Sequence, residues 1–246
     1  MIKDMESSTF SLGHAPNTPL LQCLHIHKDY GAGHHVLEGA QLQVYKGDTV
    51  CVSGEAGCGK TTLVRLLFGL EVPGSGQVTL GGLNPASLNP KEVAAFRRQV
   101  SVVFQDLKLI MKSTAHANVA LPLFLSGKRK HSIEEKVDRT LRQIGLRHKS
   151  SVPCSNLSLG EQQLVAVARA TINDPVVLLA DEPTAHLGEG DVPKVLALFG
   201  ELRLRGTTLL MTTKDPRLPP LLSEARFMRL FSGRIVEDRF PHREDD

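Results

Sequence analysis

The sequence predicts an α/β fold, and three observations carry that reading. Apolar runs suited to the covered interior of a sheet recur at residues 49–52, 176–180 and 207–211, and stretches with helical periodicity separate them. A glycine-rich loop, Gly54-Glu55-Ala56-Gly57-Cys58-Gly59-Lys60-Thr61-Thr62, joins the first run to the helix that follows it.

Taken in order, residues 20–26 and 41–44 read as strands, and 50–53 lead into the loop. Gly54, Gly57 and Gly59 allow the backbone to curl so that successive N–H groups and the next helix N-terminus face a β-phosphate. Lys60 then reaches the β- and γ-phosphates, and Thr61, followed by Thr62, offers a hydroxyl to Mg2+. Leu63, Leu66, Leu67 and Leu70 are expected on one buried helix face. From about 107 to 157 no strand pattern occurs, and the region reads as a helical insertion. Within it Ser132 is expected to cap a helix carrying Ile133, Val137, Leu141 and Ile144, with Glu134 and Glu135 early in that helix. The run at 176–180 ends in Asp181-Glu182. Val195, Leu196, Phe199 and Leu202 form another helix face before the run at 207–211. Residues 1–18 and 240–246 read as tails, leaving 19–239 as the folded domain.

Composition excludes several classes. The 246 residues are 41% hydrophobic with a net charge of only +3, and two tyrosines without tryptophan make no base-stacking surface, so no nucleic-acid partner is expected. No apolar run approaches membrane-spanning length and no signal segment opens the chain, so a cytoplasmic protein is expected. Cys23, Cys51, Cys58 and Cys154 lack ligand spacing and suit a reducing compartment; Cys58 alone lies in the phosphate loop. The histidines, including His25 and His27 on one strand face and His34 and His35 in a turn, complete no transition-metal pattern.

The chemistry converges on two carboxylates at the end of a buried strand. Asp181 is placed to hold Mg2+, and Glu182 to accept a proton from water attacking a γ-phosphate. Just upstream, Leu157-Ser158-Leu159-Gly160-Glu161-Gln162-Gln163 resembles the signature segment of the ATP-binding cassette (ABC) ATPases, and the likeness extends over roughly residues 20–238. Gln105 resembles that family's Q-loop glutamine, Ala168-Arg169-Ala170 its post-signature helix, and Asp181-Glu182-Pro183-Thr184 its extended Walker B segment. The resemblance implies a P-loop NTPase with a mixed sheet core and a helical subdomain at about 107–170. It further implies that Tyr30 stacks on adenine, that Gln105 contacts the metal, and that Ser158 and Gly160 face the γ-phosphate of a second subunit in a head-to-tail homodimer around two ATP. Residues 96–106, 118–123 and 160–163 resemble the FtsE-type division ATPases within the family. That resemblance implies an FtsX-like integral membrane partner, docked beside Gln105 and the insertion, and a position on the inner face of the membrane.

Three positions depart from the family pattern. Leu159 stands where the signature has its first glycine, Gly188 where the D-loop has aspartate, and Lys214 where the switch histidine lies. Lysine brings charge toward the γ-phosphate without the planar geometry of imidazole. His186 is expected to support an interface rather than to replace the switch residue. Slow hydrolysis is the expectation, with Glu182, Gln105 and Lys214 as the catalytic group. A transporter ATPase subunit and an ATP-binding structural module without turnover stand as alternatives.

Overall fold

A computed structural model describes residues 12, 17–31, 35–216, 218, 221, 222 and 224–240. The elements run β1 (Leu21–Asp29), β2 (His35–Val44), β3 (Thr49–Ser53), α1 (Lys60–Leu67), β4 (Ser75–Leu80), α2 (Pro90–Gln99) and β5 (Val100–Val103). They continue through α3 (Ala115–Leu125), α4 (Lys130–Gln143), α5 (Leu159–Thr171), β6 (Val177–Asp181), α6 (Val192–Leu204), β7 (Thr208–Thr213), β8 (Arg226–Phe231) and β9 (Arg234–Arg239). None of these helices is long and apolar enough to cross a membrane.

Six strands form a mixed sheet in the order β5-β6-β7-β3-β8-β9, parallel throughout except for the antiparallel β9. A separate antiparallel sheet has the order β2-β1-β4. The period of two along the central strands divides the core. Val50, Val52, Val177, Leu179 and Leu210 face a cluster shared with α1 and the smaller sheet. Cys51, Leu178, Ala180, Leu209 and Met211 face α3, α4, α5 and α6. Helix α1 touches β6 and β7 on one side and β2 and β4 on the other, so it lies between the two sheets.

Several expectations are corrected. Helix α1 stops at Leu67, and Gly69 turns the chain with φ +74, where an added Cβ would meet the Pro85 carbonyl at 2.4 Å. Leu70 therefore leaves the buried face and is 47% exposed. Helix α4 begins at Lys130 with Arg129 at its N-cap, so Ser132 is an exposed residue inside the first turn rather than the cap, while Glu134 and Glu135 do lie early in the helix. The reason is that Gly127, with φ +70, already reverses the chain after α3, and once past the extended Arg129 nothing up to Ile133 interrupts helical geometry. Strands β4, β5, β8 and β9 and helix α2 were not expected from periodicity. Of the segments read as tails, Leu12 is buried in the core beside Gly81, and residues 17, 18 and 240 are described. The other tail residues, and His34, lie outside the described residues.

Candidate functional site

Parallel strands deliver their C-terminal ends to one edge, and the candidate residues come from just beyond those ends. Gly54 follows β3, Gln105 lies two positions past β5, Glu182 follows β6 and Lys214 follows β7. All of these but Gly54, together with Tyr30, Gly57, Gly59, Lys60, Thr61 and Thr62, line a cavity of about 300 Å³.

The loop is shaped by close approach. Gly59 caps α1 with φ +107, and a Cβ there would sit 2.7 Å from both the Leu37 side chain and the Val36 carbonyl. A side chain is excluded by conformation and by space. Lys60 folds back over the loop and donates to the carbonyls of Gly54 and Glu55, each at 2.8 Å, with Nζ 3.6 Å from Glu182 Oε1. Cys58 Sγ is 3.9 Å from the same ammonium and is the half-exposed thiol of the four cysteines; the other three are buried. Burial pushes the Cys23 thiol up to about 12 and, with the Glu182 charge adding to burial, the Cys51 thiol to the same value.

Glu182 is held from three sides. It takes a left-handed φ of +50, its N–H donates to the Thr212 carbonyl at 3.1 Å, and Oε2 accepts from the Lys214 backbone N–H at 3.0 Å. Positive φ at a non-glycine residue is a conformation that persists only where its surroundings enforce it. Asp181 is 2% exposed and accepts from the Thr212 hydroxyl at 2.7 Å, beneath the cavity rather than on its wall. Thr61 Oγ1 donates to Gln105 Oε1 at 3.3 Å. Hydroxyl, amide and carboxylate oxygens form a hard donor set that suits Mg2+. Tyr30 is 53% exposed, with its hydroxyl on Glu71 Oε2 at 2.5 Å and 3.2 Å from Thr62 Oγ1. Burial first, and the Glu71 bond second, raise its pKa above the ordinary tyrosine value.

Ser158 and Gly160 do not join this cavity. They form the N-terminus of α5, where Ser158 Oγ accepts from Glu161 N–H at 3.2 Å and the Glu161 carboxylate accepts from Ser158 N–H at 2.9 Å, a reciprocal cap. Lys149 holds the Glu161 carboxyl below its usual range. Leu159 projects outward, 52% exposed, and a Cβ on Gly160 would meet the His186 carbonyl at 3.0 Å. The His186 ring is half-buried and bonds Gln163 Oε1 at 3.0 Å, so it ties the segment after Glu182 to α5.

The residue-level reading overlooked Val36 and Ala56, which line the cavity, as well as Glu71 and Thr212. Glu71 lies 41 positions from Tyr30 and Thr212 lies 31 from Asp181, and no local pattern links such pairs. The run ending in Thr212-Thr213 was a detectable signal for polar atoms at a strand end.

A glycine-shaped loop before a helix, an acidic strand end and a six-stranded mixed sheet with an inserted helical segment define a nucleotide-binding cassette. The chain belongs to the ABC transporter family, whose pattern matches residues 37–185. It is 39% identical over 194 residues to the cell division ATP-binding protein FtsE of Escherichia coli K12, covering 79% of this chain and 87% of that protein. FtsE of Bacillus subtilis 168 is 33% identical over 219 residues, 89% of this chain and 96% of that protein. The dimeric post-hydrolysis structure of the ATP-binding cassette MJ0796, bound to ADP and Pi, superposes with a TM-score of 0.82 at 27% identity, covering 90% of this chain and 99% of that one.

Proposed function

We propose that this chain is an FtsE-type ATPase that binds ATP with Mg2+ in the cavity at the sheet edge, dimerises on it and hydrolyses it slowly in bacterial cell division. The observation that carries the reading is the Lys60–Glu182 pair at 3.6 Å, both side chains nearly buried, at the mouth of the glycine-shaped loop. The loop N–H groups and the α1 N-terminus receive the phosphates. Lys60 exchanges Glu182 and the two loop carbonyls for phosphate oxygens, which frees the Glu182 carboxylate to accept a proton from the attacking water. Thr61, Gln105 and Asp181 are the residues that would hold Mg2+, which when bound supplies charge neutralisation on the phosphates. Tyr30 presents its ring to the base, kept in place by Glu71 and Thr62. Lys214 fixes Glu182 through its backbone N–H.

Ser158 and Gly160, remote from this cavity, are assigned to a second copy's γ-phosphate in a head-to-tail homodimer. Such closure depends on γ-phosphate because its charge is what both subunits grip. An FtsX-like integral membrane protein would dock in a groove of about 490 Å³ beside Gln105, floored by Phe68, Phe104, Leu121 and Pro122 and rimmed by Arg97 and Arg169. The ATPase would then lie peripherally on the inner face of the membrane.

Leu159 favours a second reading, a module that closes on ATP without turnover, because its exposed side chain stands where backbone would approach phosphate. Phosphate release by the purified chain with its membrane partner, beside Glu182→Gln, separates the two. A rate lost in Glu182→Gln supports the ATPase; equal background rates support the module. Co-purification with a solute-translocating permease would instead assign the chain to a transporter.

A further inference from the structure

We infer that Arg169, in the last turn of α5, is a positioning residue that holds Gln105 in place by clamping the strained turn which follows it. The inference rests on the ATPase reading above. Leu107 and Lys108 are consecutive non-glycine residues in the left-handed region, with φ of +59 and +46. Two such residues in a row oppose the ordinary preference of L-amino acids and require outside support. The turn is tight: Lys108 N–H donates to the Asp106 carbonyl at 2.6 Å, closing a three-residue loop. Its support comes from a residue more than sixty positions away. The Arg169 guanidinium donates through one nitrogen to the Leu107 carbonyl and through the other to the Lys108 carbonyl, each at 2.8 Å.

A guanidinium fork fits this task because its two N–H directions are fixed relative to each other, so both carbonyls must keep one relative orientation. Burial lowers the Arg169 pKa from its ordinary value, the mark of a cation partly removed from water, and neutral carbonyls rather than a carboxylate receive it. Downstream, fully buried Asn118 grips the same segment, accepting from Ile110 N–H at 2.9 Å and donating to the Ile110 carbonyl at 3.0 Å. The stretch leaving Gln105 is thus fastened twice, first to α5 and then to α3. Gln105 itself meets Thr61 across the cavity, and it lies inside the turn that Leu107 N–H closes on the Phe104 carbonyl at 3.0 Å, so holding Leu107 holds the backbone that carries the amide. Because α5 carries Ser158 and Gly160 at its other end, one rigid helix connects the surface assigned to the second subunit with the glutamine of its own site. Arg169 also borders the groove beside Phe104, where an occupant would reach the clamp directly.

The test uses Arg169→Ala, Arg169→Lys, Lys108→Gly and the double variant Arg169→Ala/Lys108→Gly. Glycine at 108 removes the conformational penalty at one of the two left-handed positions that Arg169 supports. Arg169→Ala is expected to leave the Mg-ATP dissociation constant in calorimetry within about twofold while reducing turnover about tenfold. Amides of 105–109 should exchange faster with deuterium in this variant. Adding Lys108→Gly should return turnover and exchange most of the way to the parent values. If Arg169→Ala does not fold, Arg169→Lys, with a charge but no fork, takes its place in the series. Unchanged exchange at 105–109, or a double variant no better than the single, overturns the assignment. Should the parent chain show no Glu182-dependent phosphate release, the ATPase reading fails while the exchange and rescue measurements still decide the clamp.

Discussion

Thr212→Val removes one hydroxyl from beneath the candidate site and leaves nearly everything else in place. Thr212 is fully buried, and its Oγ1 donates to Asp181 Oδ1 at 2.7 Å. Valine has the same shape, so no sizeable cavity opens, and its strand preference offsets a few tenths of a kcal/mol. What is lost is a hydrogen bond to a buried carboxylate, of order 1.5–3 kcal/mol, for a net cost of about 2 kcal/mol. In a domain of this size each kcal/mol moves the melting temperature by about 2–4 °C, so a fall of about 4–8 °C is expected in thermal unfolding followed by circular dichroism. In an Asp181→Asn background, where the acceptor has no charge, the same substitution should cost about half as much. A change below about 1 °C in the parent chain would refute the claim that the strand end is organised by this bond.

Other expectations follow from the same geometry. Lys214→His keeps the backbone N–H that holds Glu182 and adds an imidazole beside the cavity. Turnover at saturating Mg-ATP should rise about tenfold with little change in nucleotide affinity, and no increase with dimerisation intact would point to Leu159 or Gly188 as limiting. Leu159→Gly exposes backbone at the first turn of α5, where the reciprocal cap supports the helix without the side chain. It should strengthen ATP-dependent dimerisation measured by light scattering in a Glu182→Gln background, and unchanged dimerisation would remove Leu159 from the interface. Tyr30 should ionise above the ordinary tyrosine range in an ultraviolet titration, since burial and the Glu71 carboxylate both favour its neutral form. Glu71→Gln should bring that ionisation downward, and an unchanged titration would show that Glu71 does not hold the ring.

The parts of the fold legible in the sequence are those where one local cause dominates. The strands β3, β6 and β7 are covered on both faces, so their apolar runs stand out; the glycine-rich loop and Asp181-Glu182 then mark the edge they share. Strand β9, Arg234–Arg239, is mostly exposed, and its pairing with β8 rather than any apolar run makes it a strand. Strand β4 opens on Ser75-Gly76-Gln77 and is defined by its partner β1. Ser132 has the chemistry of a cap, yet the helix begins earlier because the turn at Gly127 decides where the chain can re-enter helical geometry. The site divides in the same way. Lys60, Thr61 and Glu182 could be read from spacing, whereas Glu71, Thr212 and the Arg169 clamp depend on contacts that the topology alone creates.

The thirteen residues of α5 fix a phase as well as a distance. Ser158 and Arg169 are eleven positions apart, which at about 100° per residue returns almost to the same angular setting after three turns. Substitution along the outer face of α5 leaves that relation untouched. Gaining or losing a single residue would swing the guanidinium about a quarter of a turn away from the Leu107 and Lys108 carbonyls while the signature end stayed where it was. The outer face of this helix is therefore open to residue type, while its length is closed to change.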